Sequence, residues 1–458
     1  MPKLKKILEY RRHYGLRSTL GLIYEKLVID RRRFDAKRMR SVPSFPKEYN
    51  RTSIDSAEAV GKTILYLIHY FYPDKRGGTE RFTLNIAKEM ERSGCRPIVL
   101  TLEGNQPESS YDRRCGNILY RYYEYEKIRC IAFRHKKAPL GLYYKEIRDN
   151  DMDMRNFAKF ILQKEGIDIV HATYPQPFAS FLFECLELKI PYIVSCTDFA
   201  LSCHYSTMID SRGDFCPGSF FGNRCKKVCK SYGCRDFGKR WQTAERLLLG
   251  ARVVTVPSEF VARVMSREFP HVGFIPVPHG IASEFLSYKK RRAVKKFVYA
   301  GTLAPLKGVH LLISAFKRLG DDSLSLSIYG SGDERYIDSL RAAADERISF
   351  LGPVSAEDMP SVYADADCVV VPSLWYETYN FVLREALASG ALVVAADIGA
   401  MSEAVEVGQN GFLFRAGDGD DLYRTLLLAV KFDFSNYRKS TLPSPEKEAS
   451  FYLSAYGE

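Results

Sequence analysis

From residue 62 onward, short apolar runs alternate with longer stretches in which apolar residues recur every three or four positions. TILYLIH (63–69), PIVLTL (97–102), DIVHAT (168–173), YIVSC (192–196) and RVVTV (252–256) predict strands. They are apolar throughout rather than alternating, as strands covered on both faces of a parallel sheet must be. After the first, TERFTLNIAKEMERSG sets Phe82, Ile86 and Met90 on one helical face, with Gly94 as a stop. Such strand–helix alternation predicts a doubly wound α/β domain.

The pattern then restarts. IPVPHGI (275–281) and the basic SYKKRRAVKK (287–296) read as a junction. Strands are predicted at 297–301, 324–330, 347–352, 367–373, 391–397 and 411–414, with helices over 307–319, 333–345, 357–365, 379–389 and 419–431. The expected plan is a basic extension (1–61), a first Rossmann-like domain (62–285), a second (286–431) and a helical tail (432–458) that packs back on the first. Two such domains face each other across a cleft lined by the C-terminal ends of their strands.

Composition supports a globular body: of 458 residues, 46% are hydrophobic and 27% charged. No run approaches the roughly 18–20 apolar residues of a membrane span. The start lacks the uninterrupted apolar core of a signal peptide, because Glu25 and Lys26 break it, so a cytoplasmic protein is expected. The net charge of +12 is uneven: residues 1–51 carry 15 Lys+Arg against 5 Asp+Glu, leaving the body near neutral. Leu16, Leu20, Ile23 and Leu27 fall at helical spacing within this basic segment. A basic helix with one apolar stripe suits the anionic inner face of a membrane, and equally packing on its own protein or on a partner. No recognition motif for nucleic acid accompanies the charge.

Candidate chemistry gathers where strands end. Lys307 and Gly308 stand at a helix start, where unpaired N–H groups and a lysine together suit a diphosphate. YGSGD (329–333) is a glycine turn after a strand, marking close approach of backbone to something. YETYNFVLREALASG places Glu377 and Glu385 eight positions apart. On one continuous helix they would lie about 12 Å apart along its axis. Hydrolase carboxyl pairs are roughly 5–9.5 Å apart, so a pair acting on one bond is excluded. Two ends of one polyhydroxylated ligand, or a salt-bridged helix face, remain.

In series, FVYAGTLAPLKGVHLLISAF, IYGSGD, FLGPVSAEDMPSVYADADCVVVPSLWYETYNFVLREALASG and GQNGFLF resemble the nucleotide-sugar half of retaining family-4 glycosyltransferases (group 1) of the GT-B fold. The likeness runs from about 252 to 431 and more weakly through 62–200. The resemblance implies that Glu377 addresses the donor sugar, Glu385 the ribose, and Lys307 the diphosphate. Val354 falls where main chain meets the base, and Gly330 in the glycine turn. Gly77 and Gly78 match a loop facing the donor phosphates or the acceptor. Thr302 replaces the usual arginine beside Lys307, and Thr378 and Asn380, flanking Tyr379, replace glycines. Thr197, before Asp198, stands where the family often has histidine, which leaves Asp198 and His204 as substitutes or catalysis impaired. His171, within a strand, reads as a core histidine.

The implied reaction moves a sugar from a nucleotide-diphosphate donor to a glycan or lipid-linked hydroxyl with retention, as in surface-glycan, lipopolysaccharide or polysaccharide synthesis. It needs no catalytic metal or cofactor. An impaired nucleotide-sugar-binding module is the alternative. Cys203, Cys216, Cys225, Cys229 and Cys234 crowd one insert, 203–234, on the acceptor side. Their spacing is not that of a zinc ribbon. Reduced thiols, disulfides and a structural zinc at Cys216, Cys225, Cys229 and Cys234 are all open to it.

Overall fold

The computed structural model describes residues 59–74, 77–103, 106–137, 146–229, 234, 236–286, 291 and 293–457. The basic segment and its proposed membrane helix lie outside the described residues. Among those described, fifteen strands form two sheets. The first contains β1 (Thr63–Ile68), β2 (Arg96–Leu102), β3 (Arg113–Cys115), β4 (Ile118–Tyr125), β5 (Ile128–His135), β6 (Ile169–Ala172), β7 (Tyr192–Ser195), β8 (Val253–Val256) and β9 (Ile275–Pro276). Its order is β3-β4-β5-β2-β1-β6-β7-β8-β9, parallel except at the β3–β4–β5 edge. The second contains β10 (Lys296–Ala300), β11 (Ser325–Tyr329), β12 (Ile348–Gly352), β13 (Cys368–Val371), β14 (Leu392–Ala396) and β15 (Gly411–Phe414). Its order, β12-β11-β10-β13-β14-β15, is that of a dinucleotide-binding half, wholly parallel.

The apolar runs became central strands for a plain reason. All six residues of β1 and all five of β14 are buried, so neither face needs polar residues. Each large apolar side chain buried there contributes roughly 1.5–3 kcal/mol. The antiparallel edge was not predicted. In β4, ILYRYYEY, aromatic and charged residues share the exposed end, and the helix-and-apolar-run pattern does not single it out.

The helix Pro445–Gly457 closes the molecule against the first sheet. Tyr456 Oη bonds His171 Nδ1 at 2.6 Å and Tyr66 Oη at 3.2 Å, while Tyr452 Oη meets Ser195 Oγ at 3.0 Å and Thr255 Oγ1 at 2.9 Å. Lys62 Nζ donates to the carbonyls of Tyr456 (2.7 Å) and Gly457 (3.1 Å), a cation at the negative end of the helix. His171 also reaches Ser195 Oγ at 2.7 Å and is fully buried, and burial pushes its pKa down to about 3. It is a neutral, satisfied core histidine.

Candidate active site

Strand order reverses between β1 and β6 in the first sheet and between β10 and β13 in the second. Ligands of doubly wound sheets bind beyond the C-terminal ends of strands at such points. The loops after these four strands carry most of the residues singled out in the sequence.

On the second-domain side, Lys307 ends a short turn after β10 and Glu377 follows β13. Lys307 Nζ lies 2.7 Å from Glu377 Oε1, and Ser373 Oγ and Trp375 Nε1 donate to the same oxygen at 2.7 Å each. Lys307 also stands 4.6 Å from the centre of the Trp375 ring. Burial opposes the charge of Glu377, but the Lys307 charge and these three hydrogen bonds hold its pKa below the ordinary range. It is therefore an anion at neutral pH. Gly308, at φ +73°, starts the helix Val309–Phe316, and a Cβ there would lie 2.0 Å from the Pro372 carbonyl oxygen. Only glycine lets the Lys307 turn nest against the β13 loop.

The two glutamates do not share one helix. Asn380, at φ +65°, caps Phe381–Ala388 by accepting from Leu383 N at 2.9 Å, so Glu377 lies in the loop before the helix and Glu385 within it. The separation inferred for a continuous helix thus does not apply, because a left-handed residue interrupts it. Glu385 forms an ion pair with Arg81 of the first domain, not with Arg384. Arg384 instead donates to the carbonyls of Tyr379 and Ala400. Burial raises the Glu385 pKa to about 7, with the Arg81 charge opposing the rise.

On the first-domain side, Gly77 precedes the helix Gly78–Arg92. Gly77 itself is the N-cap, with no side-chain cap from Thr79. A Cβ on Gly77 would stand 2.5 Å from Glu80 Oε2, and one on Gly78 3.6 Å from the Phe381 ring. Thr79 Oγ1 instead donates to Thr197 Oγ1 at 2.9 Å, which donates to the Thr173 carbonyl at 3.2 Å. Thr378 Oγ1 reaches across the cleft to the Thr197 carbonyl at 2.8 Å. Asp198 accepts from Ala200 N at 2.7 Å, and burial lifts its pKa to about 7 despite that bond, Tyr174 and the Arg240 charge.

His204 is not beside Asp198 in role. Its ring packs on Tyr205 and Phe237 within the cysteine insert. A histidine that the sequence reading passed over is His69, which ends the first apolar run. It stacks on Tyr174 with centroids 3.7 Å apart and lies 3.9 Å from Glu80. Burial pushes its pKa down to about 3, so it is neutral. Its position one residue beyond β1, at a switch point, was the available signal.

The remaining predicted residues are divided. Thr302 offers its carbonyl to Tyr299 Oη at 2.8 Å. Gly330, at φ +147°, has its Cβ direction 1.9 Å from the Gly301 carbonyl oxygen, so the glycine turn accommodates a neighbouring loop. Val354 is half-buried just after β12. The Tyr379 hydroxyl donates to the His279 carbonyl, which commits that side chain to packing between the halves.

A family profile described as Glycosyltransferase Family 4 matches residues 76–284, and one described as Glycosyl transferases group 1 matches residues 294–431. The chain belongs to the group 1, family-4 glycosyltransferases. Over 167 residues this family-4 chain is 30% identical to the phosphatidyl-myo-inositol mannosyltransferase of Mycobacterium leprae, covering 35% of this chain and 45% of that one. Over 182 residues it is 27% identical to the lipopolysaccharide 1,2-N-acetylglucosaminetransferase of Salmonella typhimurium, covering 35% and 48%. The matched region therefore spans under half the length of these curated relatives. In structure the chain resembles sucrose-phosphate synthase from Thermosynechococcus elongatus (TM-score 0.59, 17% identity, 86% of this chain and 94% of that). It likewise resembles Anabaena HepE in complex with UDP and glucose (TM-score 0.57, 17% identity, 85% and 94%). The fold is GT-B. Among the described residues no helix is long and apolar enough to cross a membrane.

Proposed function

We propose that the protein transfers a sugar from a nucleotide-diphosphate donor to an acceptor hydroxyl, with retention at the anomeric carbon. The observation that carries this reading is the Lys307–Glu377 pair at the second-domain switch point, its carboxylate buried and its lysine half-buried. Breaking the bond between C1 and the phosphate oxygen leaves its electron pair on the diphosphate. Lys307 and the N-terminus of Val309–Phe316 stabilise that charge, without the arginine that Thr302 replaces. Glu377 accepts hydrogen bonds from sugar hydroxyls, and Glu385 anchors the ribose once Arg81 yields it. The backbone at Val354 meets the base, and Gly330, Thr378, Tyr379 and Asn380 shape the rest of the donor site. The acceptor oxygen bonds to C1 on the same face, and its proton passes to the departing phosphate. Asp198, with Gly77 and Gly78, faces the acceptor side.

The named relatives act on an inositol lipid and on lipopolysaccharide. By analogy with them, the acceptor proposed for this chain is a lipid-linked or surface-glycan hydroxyl, met at the inner face of the cytoplasmic membrane by residues 1–51. The Thr197–Thr79–Thr378 hydrogen bonds, where the family often has histidine, favour a second reading as a nucleotide-sugar-binding module without transfer. Nucleotide release from a panel of UDP-, GDP-, ADP- and TDP-sugars, with and without membrane extract, separates the two. Transfer is expected from one donor, and Glu377→Ala is expected to abolish it. Tight donor binding with no turnover under either condition overturns the enzyme reading.

A further inference from the structure

The insert that follows Asp198 has little regular structure, and it borrows part of its packing from the main core, to which Cys203, Met208, Phe215 and Cys216 belong. Between Cys203 and Asp236 the described residues form one six-residue helix, Asn223–Val228, and a single bridge between Ile209 and Phe215. The lobe's own core cluster consists of Cys225, Cys229, Cys234 and Phe237. Two large side chains, Phe220 and Phe221, are 55% and 56% exposed. A segment this short needs disulfides, a metal or borrowed core to stay folded. Yet its five cysteines are all unpaired and at most 9% exposed.

Four of those thiols surround one space. Cys203, Cys216, Cys225 and Cys229 line a cavity of about 10 Å³, which Cys234 does not line. That is room for about one water-sized atom. Charge points the same way. Arg240 is 5% exposed and donates to the Ala200 and Leu201 carbonyls, with Nε unbonded and no carboxylate paired to it among the described residues. It lies within electrostatic reach of Cys203, Cys225 and Cys234, as well as of Tyr174 and Asp198. Four thiolates around a divalent ion carry a net charge of about −2, which a buried guanidinium would offset.

We propose that Cys203, Cys216, Cys225 and Cys229 hold one structural zinc ion at the centre of this lobe. Cys203 thereby replaces Cys234 in the four-cysteine set left open by the sequence. Among the described residues no three of these sulfurs lie within 4.8 Å of one another, and four Zn–S bonds of about 2.3 Å would require them to close in on the ion. Through Arg240 the site braces the Ala200–Leu201 backbone beside Asp198, and through Phe215, 4.4 Å from the Tyr376 ring, it braces the loop before Glu377.

Metal analysis of the full chain, expressed with zinc supplied, tests this. About one zinc per chain is expected, with X-ray absorption showing four sulfur ligands at about 2.3 Å. A mercurial titrating about four thiols should release that zinc. Cys216→Ala with Cys225→Ala should lower the content to under ~0.2 per chain, while Cys368→Ala, a buried thiol elsewhere, should leave it unchanged. Should the double variant fail to fold, the absorption spectrum and mercurial release on the unaltered chain decide. Under ~0.2 zinc in the unaltered chain, nitrogen or oxygen ligands, or iron with visible absorbance, would overturn the proposal.

Discussion

Glu377 and Glu385 are both buried carboxyls, yet their surroundings push them in opposite directions. Three donors, one of them Lys307, hold Glu377 ionised, whereas Glu385 has burial against it and only Arg81 and the Tyr363 hydroxyl for it. An acid whose folded pKa rises from 4.5 to about 7 binds more protons folded than unfolded between those values. Stability is therefore lost as pH rises through that window. Glu385→Gln removes the loss, so its stability relative to the unaltered protein should improve by on the order of 3 kcal/mol between pH 4.5 and 8. Urea unfolding at both pH values checks this, and a pH-independent difference would refute it. The same ionisation should strengthen binding of a nucleotide sugar above pH 7, an increase absent from Glu385→Gln.

Elements were more legible than contacts. The strands around the cleft came directly from apolar runs, because a strand buried on both faces announces itself without reference to its partners. The β3–β5 edge did not, since its pattern depends on which face meets solvent. The Lys307 turn and the glycines were visible as types, but Arg81 was not, because its partner Glu385 is three hundred residues away and on the other domain. His69, at the very end of an apolar run, showed its place only once β1 was seen to stop at a switch point. At this scale the C-terminal helix gives the sharpest test. A Cβ on Gly280 would lie 2.4 Å from Pro445 Cα and N, at the helix start, and Glu448 accepts from His279 Nδ1 (2.8 Å) and Gly280 N (2.7 Å). Gly280→Ala should destabilise by about 1–3 kcal/mol through overpacking, and Glu448→Ala similarly by stranding a buried N–H. Chemical denaturation midpoints measure both, and neutral effects would show that the helix docks loosely.

For the molecule as a whole, polar contacts between the two halves include the Arg81–Glu385 pair, Thr378 to the Thr197 carbonyl, Ser258 Oγ to the Thr378 carbonyl at 2.8 Å, the Tyr379 hydroxyl to the His279 carbonyl, and Glu403 with Phe260 N and Arg263. Arg81 also lies 5.1 Å from the Phe285 and Phe381 rings. Arg81→Ala should therefore speed hydrogen exchange at the start of Phe381–Ala388, and a bound nucleotide sugar should slow it again. Exchange unaffected by the substitution would mean that packing alone closes the cleft. The return of the last helix to the first sheet has a separate consequence. The backbone passes between the halves twice, and the two passages touch where Ile281 N donates to the Pro443 carbonyl at 2.8 Å. The second domain is thus an insertion whose two ends emerge side by side, mounted like a door on paired pins. Such a mounting favours swinging over drifting apart, and it marks the stretch from about 282 to 442 as a unit that could be excised, or rejoined end to end, with little disturbance to either sheet.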